Sequence, residues 1–198
     1  STAVHNDLTE KTLHTYTIID DDILIDFNST SSTGLESVTS KDITVDLSNG
    51  SSKDITIDYA LSGTATGSGT DYTLGNGTLT IAAGQTSGVI RIADIVDDTL
   101  IEADETVIVT LSNPTNAVLG SDSAHTYTIT NSDPVPIITF NSTSSTGLES
   151  VTSKDITVDL SNGSSKDITI DYALSGTATG SGTDYTLGNG TLTIAAGQ

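Results

Sequence analysis

The stretch DDTLIEADET, residues 97–106, sets Asp97, Asp98, Glu102, Asp104 and Glu105 close together with no Lys or Arg among them. Carboxylates this near raise one another's pKa and oppose compaction unless a cation lies between them. A cluster of oxygen ligands without His or Cys beside it argues against zinc or copper. The run VIVTL follows at once, so the acids stand at the entrance of a strand. They are too irregularly spaced for the twelve-residue loop of an EF-hand.

Other chemistry is sparse. His14 and His125 share strand parity with Tyr16 and Tyr127, which assigns them to packing, and His5 is expected at the surface. The many Ser and Thr residues include no G-x-S-x-G and no Ser with a base partner nearby. No acid/base constellation stands apart from the acidic cluster, so an enzyme is not expected. Asp42, Asp46, Asp54 and Asp58 alternate outward along strands as solvated charges, and Asp104 and Glu105 read as flanking residues of the next strand, supporting at best.

The 198-residue chain carries 26 acidic and 6 basic side chains, a formal net charge of −20. A surface of that sign repels nucleic acid and anionic lipid, which removes both as expected partners. The hydrophobic residues, 34% of the chain, recur periodically, unlike those of acidic disordered segments. With no Cys, disulfides and thiolate metal sites are excluded, so any stapling must come from elsewhere, such as a metal. No apolar run approaches the ~20 residues of a membrane-spanning helix. The N-terminus lacks the basic-then-apolar pattern of a signal peptide, so an address for secretion is expected outside this segment.

Residues 27–85 recur letter for letter as 140–198, and HTYTI occurs at both 14–18 and 125–129. Three parts follow: residues 1–22, the closing strand of a preceding module; 23–133, a complete module; and 134–198, the opening part of a third, without the strands that match 86–133. The last part is expected either to be a slice of a longer array or to be completed by strands of a neighbouring chain. Within the complete module the apolar period is two. Seven strands are expected, in ILIDF, DITVDLS, KDITIDYAL, TLTIAA, GVIRIADIV, TVIVTL and AHTYTIT, with turn signals at Asn49-Gly50, Gly63–Gly69, Asn76-Gly77 and Asn113-Pro114. Apolar parity runs through Ile90 and Ile92 and then slips to Ile95, which predicts a β-bulge at Ala93–Asp94. Seven short alternating strands describe a two-sheet antiparallel sandwich, so the fold class is all-β, in tandem immunoglobulin-like sandwiches.

LESV near the first strand, GTATGSGTDYTL after the third and IVDDTLIEADETVIVTLSNPTNA, followed by a closing strand that runs into acids, resemble the Calx-beta domain family in order and spacing. The resemblance covers 23–133, the closing strand at 12–22 and the first half of the next copy. It implies seven strands in two sheets, with calcium (Ca2+) held by loops at the end where the C-terminus leaves. The ligands it implies here are Glu36, Asp71, Asp97, Asp98 and Glu102. The family's terminal Asp triplet is present in the preceding tail as Asp20, Asp21 and Asp22, but the complete module has Asn131, Ser132 and Asp133, so fewer charges and weaker or fewer ions are implied there. The last copy retains Glu149 and Asp184 alone and is expected to bind little calcium by itself. The chemistry agrees: calcium takes six to eight oxygens in flexible geometry, whereas magnesium demands a tight octahedron.

These features lead to the expectation of a calcium-stabilised structural spacer, a segment of a long extracellular adhesin or surface filament at the cell surface. Its partners would be adjacent repeats of the same protein and neighbouring chains in a filament. The alternative expectation is an adhesive module that itself grips glycan or a partner protein, although aromatic content is only 4%. A third is a calcium sensor of the exchanger type, against which exact repetition in a Thr-rich array argues.

Overall fold

The computed structural model describes residues 15–16 and 22–198. The closing strand expected around 12–22 falls almost wholly outside them, as do His5, His14, Asp20 and Asp21. No helix occurs among the described residues. The complete module contains β1 (Leu24–Phe27), β2 (Ser31–Leu35), β3 (Ser40–Leu47), β4 (Ile55–Gly63), β5 (Gly77–Ile81), β6 (Ser87–Ala93), β7 (Leu100–Ile101), β8 (Glu105–Thr115), β9 (Val118–Leu119) and β10 (Ala124–Thr130). All seven strands read from alternation are present, and β2, β7 and β9 are added to them.

One sheet runs β6-β3-β1-β9 and the other β2-β10-β8-β4-β5. Their facing residues make one core. Ile25, Phe27, Ile43, Val45, Ile90 and Ile92 come from the first sheet, and Ile55, Ile57, Ile81, Val107, Val109, Leu111 and Tyr127 from the second, all buried. Full burial of each large aliphatic side chain contributes about 1.5–3 kcal/mol. The seven-stranded expectation was antiparallel throughout, but the first strand is split between the sheets. β1 pairs antiparallel with β3, while β2 pairs parallel with β10, from Ser31↔Thr126 to Leu35↔Thr130. Alternation could not reveal β2, because SSTGL has a single large apolar residue, and it points outward.

Two irregularities matter. The β3–β6 ladder runs unbroken to Ser40↔Ala93 and stops; Asp94 takes φ 48°, and the Ile95 amide rejoins the Thr39 carbonyl at 3.2 Å. One extra residue is thereby absorbed, and Ile95 turns back into the core. Asn113-Pro114, by contrast, is not a turn between strands. β8 continues through it to Thr115, with Asn113 at φ 51° and a register shift against β4 between Thr56 and Asp58. Proline cannot donate to a ladder, and a bulge is the place inside a sheet that tolerates it.

His125 packs as its parity predicts. It is buried beside Phe27 (ring centroids 5.7 Å apart), with Nε2 2.8 Å from the Ser32 hydroxyl and Nδ1 2.5 Å from the Ser29 carbonyl. The outward aspartates are also as expected. Asp42 pairs with Arg91 at 2.6 Å on the surface, and Asp58 accepts hydrogen bonds from Thr78 and Asn113.

The repeated part forms β11 (Ile138–Phe140), β12 (Val158–Leu160), β13 (Gly163–Ser164), β14 (Ile168–Tyr172) and β15 (Gly190–Ile194). β11 pairs with β12 and β14 with β15, as their counterparts do with each other. Phe140 is 61% exposed where its counterpart Phe27 is 3% exposed; residues 134–198 contain no counterpart of β8 and β10, the central strands of the sheet that covers Phe27.

Gly34, on β2, faces the ring of buried Tyr127; a methyl group added there would collide with the Tyr127 hydroxyl. Gly34→Ala is therefore expected to lower unfolding stability by about 1–3 kcal/mol, measured by denaturant titration. Wild-type stability for this variant would contradict the packing described.

Candidate metal centre

The ladders deliver five chain segments to one tip. β2, β4, β6 and β10 end there and β8 begins there: Leu35 pairs with Thr130, Ile129 with Glu105, and Gly63 with Val107. The acids at these ends are forced together by the main chain.

Glu36 follows β2 directly. Its amide donates to the Thr130 carbonyl at 3.0 Å, and the residue is only 5% exposed. One of its carboxylate oxygens accepts from the Ser132 amide (2.6 Å) and hydroxyl (3.3 Å); that hydroxyl also lies 3.4 Å from an Asp97 oxygen. Asp98 accepts from the Leu100 amide at 2.6 Å, fixing the loop before β7. Asn131 cross-links the tip: its side-chain amide donates to the Glu102 carbonyl (3.0 Å), its main-chain amide to Asp104 (3.3 Å), and its side-chain oxygen accepts from the Asp133 amide.

Glu36, Asp98 and Asp133 each bring a carboxylate oxygen within 4.8 Å of the others. Two oxygens on opposite sides of a calcium ion lie about 4.6–5.2 Å apart at its usual bond lengths. One Asp133 oxygen is buried and has no hydrogen-bond partner among the described residues. An ionised oxygen desolvated without compensation is costly, and a cation at that point removes the cost. The donors are oxygens, three of them negative, and the set fits a hard divalent ion.

A second cup adjoins the first across Glu36. A cavity of about 20 Å³ is lined by Glu36, Asp71, Glu102, Glu105 and Asn131, room for one water-sized occupant. Asp71 is pinned by the Thr66 amide at 2.5 Å and by the Val96 amide on its carbonyl. Burial, a hydrogen bond to Asp71 and the nearby charges of Asp71, Glu102 and Glu36 push the Glu105 carboxyl up to about 7. Burial, then the neighbouring acids led by Asp98, raises Glu102 as well. Glu105 was expected only to flank its strand, yet it faces the cup. The signal was in the parity: Glu105 shares the inward register of Val107, Val109 and Leu111, whereas Asp104 points out.

Of the other expected ligands, Asp97 and Asp98 lie at the surface of the tip and Asp22 is exposed. In the repeated part Glu149 and Asp184 are both exposed, and no three acids converge there. Asp184 instead accepts from the Thr179 amide at 2.6 Å, as Asp71 does from Thr66.

An immunoglobulin-like sandwich with a carboxylate cup at one tip defines a class of cation-binding β-domain. A model of the Calx-beta domain family matches residues 19–134 and again 131–198, and this chain belongs to that family. Sodium/calcium exchanger 1 of Bos taurus and of Cavia porcellus are each 32% identical over 136 residues, covering 59% of this chain and 14% of the exchanger. The chain thus spans about a seventh of the length of the curated relatives it matches. The apo-form Calx CBD1 domain superposes with a TM-score of 0.52 at 26% identity, covering 57% of this chain and all of that domain. The calcium binding domain CBD12 of CALX1.1 gives 0.51 at 23% identity, over 87% of this chain and 71% of the other, a likeness of fold.

The Glu105 carboxyl gives a pH dependence for the metal-free chain. Its folded value, about 7, lies above the ordinary 4.5, so the folded form binds more protons between these limits. Stability from this group is complete below about 4.5 and is lost as pH rises towards about 7. The melting temperature in chelator is expected to fall across that interval, and Glu105→Gln to flatten the fall. A melting temperature that stays level in the wild type would contradict the burial of this acid.

Proposed function

We propose that this chain is a calcium-stabilised spacer, a segment of a long extracellular adhesin or surface filament built from tandem Calx-beta modules. The observation that carries the calcium reading is Asp133, whose carboxylate joins those of Glu36 and Asp98 within 4.8 Å and has a buried oxygen with no hydrogen-bond partner among the described residues. The ion would join the end of β2, the loop before β7 and the residues leaving β10, three segments distant in sequence. Extracellular modules bind calcium at about 10⁻⁴–10⁻³ M, a level met outside cells and not in cytosol. The letter-for-letter repetition of residues 27–85 supports bulk construction, and the partners would be adjacent repeats and neighbouring chains.

In this reading the ion fixes Asp133 to its own module, and the chain leaves through Pro134 and Pro136, whose rings restrict the linker. Acids are more numerous in the preceding tail, at Asp20, Asp21 and Asp22, so calcium would stiffen that junction more and proline would stiffen the later one. A regulatory reading has one specific support, the likeness to sodium/calcium exchangers. The two readings differ in affinity, since sensors respond at about 10⁻⁷–10⁻⁵ M.

Calorimetric melting with calcium and with chelator tests the proposal. Saturation at a hundred times Kd adds about 2.7 kcal/mol to stability, so a clear upward shift of Tm is expected, with a titration midpoint near the extracellular range. Asp98→Asn should weaken binding at least tenfold without unfolding the metal-free chain, because its exposed carboxylate makes no core contact. Identical melting curves in calcium and chelator would defeat the spacer and sensor readings together, and a micromolar midpoint would favour the sensor.

A further inference from the structure

The turn Ser161–Ser165 of the repeated part is seated on the acidic loop of the complete module. β13 pairs with β7, Gly163 against Leu100 and Ser164 against Ile101. The Ser165 amide and hydroxyl both donate to the Ile101 carbonyl at 3.1 Å; within the repeated part itself, the Asn162 side chain donates to the Pro134 carbonyl at 2.7 Å. Ser164 is buried by this contact, 8% exposed. The next residue, Lys166, is one of only 6 basic residues and follows a turn that lies against the most acidic stretch of the chain.

The same letters occupy Ser48–Ser52, and there the turn is largely exposed and pairs with no strand edge of another module among the described residues. Its internal hydrogen bonds match those of the seated copy. The Lys53 amide donates to the Ser51 hydroxyl at 3.0 Å and the Lys166 amide to the Ser164 hydroxyl at 3.1 Å; the Gly84 amide reaches the Ser51 carbonyl at 2.8 Å and the Gly197 amide the Ser164 carbonyl at 2.9 Å. The main-chain frame of the turn is thus the same in both copies and is preformed for the contact, while the seated copy adds a bond from the Ser161 hydroxyl to the Asn162 side-chain oxygen at 2.8 Å. The glycine distinguishes the two settings. Among the described residues a Cβ at Gly50 would have one neighbour, the Thr86 methyl at 3.8 Å, whereas a Cβ at Gly163 would stand 2.7 Å from a Leu100 methyl. Neither glycine has a positive φ. The open turn leaves room for a side chain at this position, whereas in the seat the Leu100 side chain would have to move aside.

We propose that the Ser-Asn-Gly-Ser turn is the plug by which each module docks on the β7 edge of the module before it, and that Ser48–Ser52 is an open plug for another copy of the module. The occupant is fixed by the seated example, in which an identical turn already lies on Leu100–Ile101. Because β7 stands between Asp98 and Glu102, the plug touches the loop that supplies the metal centre. The inference rests on the tandem-array part of the proposed function and not on calcium.

The chain has no Cys, so labels at Thr80→Cys and Thr193→Cys, both exposed, report a single distance between the two modules by pulsed electron spin resonance. A narrow distribution is expected with the native glycines and with Gly50→Val, and a broadened one with Gly163→Val. A broad distribution in the native chain, or one that Gly163→Val leaves narrow, overturns the plug. Failure of calcium to alter melting would leave these outcomes intact, so the two proposals fail separately.

A second measurement needs no substitution. Asn-Gly pairs lose ammonia when the glycine amide nitrogen attacks the Asn side-chain carbon; water then opens the imide to Asp or isoaspartate. Asn49 and Asn162 share their neighbours from Leu-Ser through Lys, so their rates differ through three-dimensional surroundings rather than sequence. Asn162, followed by a glycine paired with Leu100, is expected to deamidate several-fold more slowly than exposed Asn49. Cleavage after Glu separates the two turns for mass analysis, and equal rates would also overturn the seat.

Discussion

Like charges held together against their own repulsion are the constraint on which the tip of this sandwich depends. The backbone ladders do the holding. Parallel pairing of β2 with β10 sets Glu36 beside residues 131–133, and antiparallel pairing of β10 with β8 brings Glu105 to the same level. The core on either side, from Ile25 to Tyr127, supplies the stability against which that repulsion is set. A cation at the cup converts the least favourable part of the fold into a cross-link between segments distant in sequence.

Splitting the first strand makes this possible. If the chain stayed in one sheet from Leu24 to Leu35, Glu36 would end on the wrong layer, away from β10. The crossover between Phe27 and Ser31 transfers it, and small side chains at Ser32 and Gly34 let β2 lie close over the Tyr127 ring. The bulge at Asp94 serves the same tip from the other sheet, returning Ile95 to the core immediately before the acidic loop.

Most of the fold could be read from alternation, because seven strands bury one face and expose the other. What escaped lacked that pattern for physical reasons. β2 pairs through its backbone and presents small side chains, so its sequence looks like a turn. Asn113-Pro114 looks like a turn too, yet an 11-residue strand passes through it, because a bulge meets the needs of both residues. At the site, clustering identified the acidic loop, but it could not rank its members. Asp104 and Glu105 are neighbours with the same chemistry, and only their opposite facing at the start of β8 separates an exposed charge from a half-buried one. Asn131, expected as a ligand in a weakened triplet, also clamps the loop through Glu102 and Asp104, which three-dimensional neighbours alone could reveal.

The duplication bears on how the chain acquires its structure. β14 repeats the first five residues of β4 letter for letter, so β8 faces two equivalent suitors, each some fifty to sixty positions away along the polypeptide. Neighbouring domains of matching sequence are prone to misassembly by exchanging such elements. Synthesis from the N-terminus resolves the ambiguity, because β4 and β8 leave the ribosome before β14 exists.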